Sequence, residues 1–213
     1  MQLPPHLSDA VLHETPGRAI RRLTRPIEDG FDAHGLGPDG KTLRRDRSHV
    51  YGELTPAGVT QLIRATRLTP DDVFVDLGSG TGKIVLQIAM QVPGVRCLGV
   101  ELDSERHDAA AALLRAALAE GLVAKGQVRL RHASMLEAKL PGATVLFANS
   151  TCFPLPLLAR LAVRVASLKP PLTFVSLQAL PKRQARAFEG PVIRRCVTSW
   201  DPKNEMHVYW RPS

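Results

Sequence analysis

The stretch Val73–Lys83, VFVDLGSGTGK, constrains this chain more than any other. Val73, Phe74 and Val75 are apolar and mostly β-branched, and they read as a short buried strand of a parallel sheet. Gly78, Gly80 and Gly82 read as a tight turn that brings backbone N–H groups close to a ligand. The apolar run Ile84 to Met90 reads as a helix with its positive N-terminus aimed at the same place. Spacing then separates the known nucleotide loops. A phosphate loop has four residues between its first Gly and the Gly-Lys pair, then Ser or Thr. Here three residues separate Gly78 from Gly82, and Ile84 follows Lys83. A dinucleotide fingerprint has its third glycine where Lys83 stands. What remains is an acid two residues ahead of alternating glycines: Asp76, Gly78, Gly80, Gly82.

That pattern resembles the first motif of the class I S-adenosylmethionine (SAM) methyltransferases. A second string sharpens the likeness. In His49-Val50-Tyr51-Gly52-Glu53-Leu54-Thr55-Pro56, Thr55 is a good N-cap and Pro56 a good first helical residue. The helix Ala57 to Arg67 follows, with Val59, Leu62 and Ile63 at helical spacing. VYGEL, then VDLGSGTG, then GVE at Gly99–Glu101, is similar to the DOT-type (disruptor of telomeric silencing) histone-lysine methyltransferases. The resemblance spans roughly residues 49–210. It implies that Tyr51, Gly52, Glu53 and Thr55 line the methionine end of SAM. It also implies that Asp76, Gly78, Ser79, Gly80, Thr81, Gly82 and Lys83 surround that cofactor.

The strand Val95 to Val100 delivers Glu101 at its carboxyl end. A carboxylate there accepts from both ribose hydroxyls, at the expected distance of about twenty residues from the glycine loop. Asp103 and Ser104 read as caps of a long helix, Glu105 to Ala119, which Gly121 ends. After the third strand, Gln127 to Leu130, come Ser134 and Met135. The resembled family has an Asp and an aromatic there, against the adenine. A hydroxyl still accepts from an amine, and a thioether still packs on a ring. The fourth strand, Thr144 to Ala148, ends in Asn149-Ser150-Thr151-Cys152-Phe153-Pro154. The family's Asn-Asn-Phe-x-Phe is matched by Asn149 and Phe153, while Thr151 replaces a wall of its lysine channel. Asn149, Phe153 and Tyr209 (or His207, on the same face of the last strand) are therefore the expected acceptor residues. The resemblance also implies that Asn149 adjoins the cofactor.

Beyond these motifs, Leu155 to Leu168 reads as an amphipathic helix with Arg160 and Arg164 outward. A fifth strand, Leu172 to Leu177, a short basic segment Pro181 to Phe188, and a strand pair, Val192 to Trp200 and Glu205 to Trp210, follow. The expected fold is α/β: a Rossmann-like, seven-stranded, mostly parallel sheet with helices on both faces and an antiparallel pair at the end. Residues 1–48 are rich in Pro, Gly and charge and read as an N-terminal extension or lid, with residues 49–213 as the methyltransferase domain. In the extension, Arg18, Arg21, Arg22 and Arg25 fall on a helix Pro16 to Thr24, Asp29 to Gly40 is a loop, and Arg44, Arg45 and Arg47 form a second basic cluster.

The net charge of +8 is uneven. Residues 160–213 hold 10 basic and 3 acidic side chains, a face that suits nucleic acid or an acidic protein surface. Cys97, Cys152 and Cys196 are scattered, which argues against disulfides and zinc, and no metal is expected. No apolar run approaches a membrane span or a signal peptide, so the expected compartment is the cytoplasm, or the nucleus of a eukaryote. The expected activity is methyl transfer from SAM to a neutral lysine amine of a protein. Transfer to RNA or a small amine, and a SAM-binding module without turnover, are the alternatives.

Overall fold

Val73–Leu77 forms strand β1, with every side chain buried. The computed structural model describes residues 14–28 and 53–213. Tyr51, Gly52, the Asp29–Gly40 loop and the Arg44, Arg45, Arg47 cluster lie outside the described residues. The other strands are β2 (Arg96–Glu101), β3 (Val128–His132), β4 (Val145–Ala148), β5 (Leu172–Ser176), β6 (Glu189–Cys196) and β7 (Asn204–Arg211). The helices are α1 (Pro16–Glu28), α2 (Pro56–Thr66), α3 (Lys83–Gln91), α4 (Ser104–Ala119), α5 (Leu155–Ala166) and α6 (Lys182–Ala185). They build a seven-stranded sheet in the order β3-β2-β1-β4-β5-β7-β6. β1 to β5 are parallel, and β7 inserts antiparallel between β5 and β6. The strand order reverses between β1 and β4, and in open α/β sheets the ligand crevice opens at the carboxyl ends on either side of that point.

Alternation along β1 divides the core. Phe74 faces one layer, with Val59 and Leu62 of α2, Leu86 and Ile88 of α3 and Leu113 of α4. Val73, Val75 and Leu77 face the other, with Leu158, Leu161 and Val165 of α5. The first layer also takes in the N-terminal segment. α1 packs against α2, α3 and α4 and buries Ala19 and Ile20. The Arg22 guanidinium bridges Glu14 at 2.8 Å and Glu120 at 2.6 Å. This helix is thus joined to the domain's own core.

Local chemistry explains most boundaries. The Thr55 hydroxyl accepts from the Gly58 N–H at 3.2 Å and caps α2. Asp103 alone caps α4, its carboxylate accepting from the Arg106 N–H at 2.9 Å. Three expectations shift. α5 stops at Ala166, two residues early: Ser167 is its C-cap, and the last turn tightens to an i→i−3 bond from the Leu168 N–H to the Val165 carbonyl at 3.1 Å. Arg164 is not outward: it is half-buried and donates to the Ala138 carbonyl. β6 ends at Cys196 rather than Trp200, since the next residues pair with a different segment. Thr55 N–H donates to Val197 O at 3.1 Å, Leu54 bridges Thr198, and Ser199 N–H donates to Glu53 O at 2.9 Å.

Candidate active site

A cleft opens at the carboxyl ends of β1 and β4. Asp76, Gly78, Ser79, Gly80, Lys83, Glu53 and Asn149 all line it. The loop between β1 and α3 has left-handed backbone at Gly78, Gly80 and Gly82, which a side chain would strain. Its N–H groups, however, do not point at the cleft as a ligand cradle. Gly78 and Ser79 both donate to Val100 O, at 2.8 and 3.0 Å, and Gly82 donates to Ser79 O at 2.9 Å. Gly80 donates to Glu101 Oε2 at 2.7 Å. Three of these donors fasten the loop to the end of β2, and the fourth closes the loop on itself. Gly82 lets α3 start against Ala110 of α4, whose Cβ would stand 3.2 Å from any added Cβ. Ser79 is buried over Gly99 of β2, and Thr81 is buried at the loop's far side.

The acids carry the electrostatics. Asp76 is 1% exposed, and neither carboxylate oxygen has a hydrogen-bond partner among the described residues. Burial, with the nearby Glu101 charge adding to it, pushes its carboxyl up to about 8. Glu101 is held differently, with Oε1 accepting from the Leu102 and Asp103 N–H groups at 2.9 Å each. Glu53 places Oε2 on Lys83 Nζ at 2.8 Å, while its buried Oε1 has no partner among the described residues. Ser199 fixes Glu53 in place, accepting from its N–H at 3.3 Å as well as donating to its carbonyl.

The opposite lip is the loop between β4 and α5. Phe153 and Met135 converge over Gly78, where an added Cβ would meet Met135 Cε at 3.6 Å and Phe153 Cζ at 3.8 Å. The Thr151 hydroxyl donates to Asn149 Oδ1 at 3.2 Å. The Ser134 hydroxyl accepts from the Leu136 N–H at 3.2 Å and shapes the turn that presents Met135.

Two expected residues stand elsewhere. Thr55 is away from the cleft lining, its hydroxyl donating to Val197 O at 3.0 Å while it caps α2. Tyr209 is a core residue, not a channel wall. It is 1% exposed, its phenol oxygen accepts from the Leu180 N–H at 2.9 Å, and its ring meets Phe188 edge-on at 6.0 Å. β7 runs antiparallel away from the crevice, so Tyr209 lies opposite Phe174, two pairs deeper than His207 opposite Ser176. His207 is nearer the edge, half-buried, with its imidazole held below the usual range by burial. The sequence reading passed over Ser150, Ser176, Gln178 and Ser199. The first three lie at the carboxyl ends of β4 and β5, the edge that the open-sheet rule marks.

With this geometry in hand, the comparisons with known proteins are specific. Residues 38–210 match the family described as histone methylation protein DOT1. The chain belongs to the DOT1 family. A relative from Mycosarcoma maydis, named histone-lysine N-methyltransferase, H3 lysine-79 specific, is 34% identical over 124 residues, covering 54% of this chain and 14% of its own. One of the same name from Emericella nidulans is 30% identical over 156 residues, 68% of this chain and 31% of its own. The chain therefore spans less than a third of these relatives' length. An RNA methyltransferase from Salinibacter ruber, solved with S-adenosyl-L-homocysteine, superposes with a TM-score of 0.57 at 22% identity, over 73% of this chain and 90% of that one. That likeness supports the class I methyltransferase fold. Among the described residues, no cluster of three or more potential metal ligands occurs, and no helix is long and apolar enough to cross a membrane.

Proposed function

We propose that this DOT1-family chain is a SAM-dependent protein-lysine N-methyltransferase. The observation that carries the reading is the buried Asp76 carboxyl lining the cleft, with both its oxygens, like Glu53 Oε1 in the same cleft, unpartnered among the described residues. Buried acids without partners are costly unless a cation joins them. SAM, whose methionine end carries an ammonium, fits that pair of acids, and Glu101 stands where its ribose hydroxyls would find an acceptor. When bound, SAM supplies an electrophilic methyl group on a sulfonium.

The rest falls to the chain's own residues. Asp76 and Glu53 would hold the ammonium end. Ser134 and Met135 would border the adenine, and Asn149 and Phe153 would form the acceptor wall. A lysine amine must be neutral to attack, yet its ordinary pKa is near 10.4. A water-poor wall beside a positive sulfonium disfavours the ammonium form by desolvation and like charge. Attack in line then needs placement and exclusion of water more than an acid or base. A neutral amine held at this wall would accept the methyl group, S-adenosyl-L-homocysteine would leave, and the methylated amine would give up its extra proton to solvent.

The relatives are named for histone H3 lysine-79, which supports a histone-like substrate and favours the nucleus over the cytoplasm for this chain too. A second reading, transfer to RNA, draws on the exposed cations Lys182, Arg183, Arg194 and Arg195. The test is methyl transfer from labelled SAM to histones and to a lysate separated into protein, RNA and small molecules. Label on a protein lysine supports the first reading, and label confined to RNA replaces it with the second. SAM binding without label in any fraction would reduce the chain to a binding module.

A further inference from the structure

We propose that Gln178 is a positioning residue for methyl transfer: with Ser150 and Ser176 it clamps the loop that carries Asn149 and Phe153. The inference rests on the lysine-methyltransferase reading and deepens it. Gln178 follows β5 by two residues, next to the end of β4. Its side-chain nitrogen faces three carbonyls of the acceptor loop, Thr151 O at 2.7 Å, Phe153 O at 3.4 Å, and Ser150 O. Carbonyls only accept, so the amide must present its NH₂ here. Its two hydrogens serve the Ser150 and Thr151 carbonyls, and the longer contact to Phe153 shares one of them.

A second set of bonds closes the clamp. The Gln178 backbone N–H donates to Ser150 Oγ at 3.0 Å. Ser150 Oγ lies 2.7 Å from Ser176 Oγ, and the Ser176 hydroxyl donates to the Gln178 carbonyl at 2.8 Å. Since that carbonyl cannot donate, each proton has one place. Ser150 must donate to Ser176, and the ring begins and ends on the Gln178 backbone. Both serines are fully buried, so a broken link would leave a buried polar group unpaired. Asn149, which lines the cleft, and Phe153, which meets Met135 over Gly78, flank the clamped residues. Their placement thus depends on a residue that is not part of the cleft lining. Placement errors of an ångström are costly to reactions of this kind.

The test uses the full chain and two independent readouts. Gln178→Glu keeps the shape but turns a donor into an acceptor facing three carbonyls. Cys152 sits within the clamped loop, while Cys97 and Cys196 are buried, so an aromatic disulfide reagent reports on Cys152. The expected result is Cys152 labelling about tenfold faster, kcat for histone methylation down by about tenfold or more, and SAM affinity by calorimetry within about twofold of wild type. Gln178→Lys, which restores donors to the carbonyls, should recover most of both losses. Ser176→Ala should move both in the same direction by less. Unchanged Cys152 labelling in Gln178→Glu overturns the inference, and so does faster labelling with kcat unchanged. A wild-type chain that methylates no protein defeats the lysine reading instead, and the Cys152 arm then decides alone whether Gln178 holds the loop.

Discussion

The two lips of the cleft are built by opposite means. On the β1–β2 side, carboxylates carry the lip: Asp76 buried and unpartnered among the described residues, Glu101 fixed by three backbone N–H groups, Glu53 tied to Lys83. On the β4–β5 side, Asn149, Thr151 and Phe153 hold the lip, and neutral hydroxyls and an amide brace it from behind. The charged lip suits a ligand with a fixed cationic end. The neutral lip suits an acceptor that must lose its charge before reacting, since a carboxylate there would hold a lysine protonated. Binding and turnover should therefore separate by side.

The largest effect should come from Asp76→Asn. Loss of a buried charge partner for an ammonium costs roughly 2–5 kcal/mol, so SAM affinity should fall by about thirtyfold or more in calorimetry. The same change should stabilise the ligand-free protein. Burial raises the Asp76 carboxyl to about 8, whereas the unfolded chain ionises near 3.9, so the folded state is increasingly disfavoured as pH climbs from about 4 to 8. Thermal melts should show Asp76→Asn gaining on wild type across that window. A variant that binds SAM normally would break the comparison on its charged side.

Glu101→Ala comes next, with an expected loss of roughly 1.5–3 kcal/mol of SAM affinity, about tenfold to a hundredfold. Asn149→Ala should do the reverse of both: SAM affinity within about twofold, but kcat lower by about tenfold. If affinity and kcat fell together, the two lips would not be separate devices. A finer test is pH. Because Asp76 is protonated in the free protein below about 8 and would be ionised beside a bound ammonium, binding should release close to one proton at pH 7. SAM affinity should then rise by up to about tenfold per pH unit towards pH 8, and calorimetry in buffers of different ionisation enthalpy reads the proton directly. The smallest effect belongs to Tyr209→Phe, which removes the acceptor of the Leu180 N–H. It should cost about 1–3 kcal/mol in melts and leave methyl transfer unchanged; lost transfer with unchanged stability would return Tyr209 to the acceptor wall.

The charged lip was legible because its parts are contiguous. Asp76 to Lys83 and Glu101 sit on consecutive strand ends, and chain spacing translates directly into proximity along a parallel sheet. The neutral lip was legible only in Asn149 and Phe153. Its brace joins residues 26 and 28 positions apart, through side chains ordinary in any loop. Tyr209 shows a different limit. Alternation gives the face of a strand but not the depth along it, and depth depends on how β7 registers with β5. The end of β6 was overextended for a related reason: Val197 to Ser199 keep a strand-like pattern but pair with residues 53–55, a partner far away in sequence.

That distant pairing has a consequence during synthesis. Glu53 is built early and Lys83 ties its side chain, yet its backbone is held at the cleft by Ser199. On the ribosome, Asp76, the glycine loop and Glu101 will all have emerged long before Ser199 does. A nascent chain can thus assemble most of the parallel sheet while its cofactor entrance stays unfastened. Only when the β6–β7 hairpin is translated and swings in can a ligand be held, so arrested chains ending before Ser199 should fold in part and bind nothing.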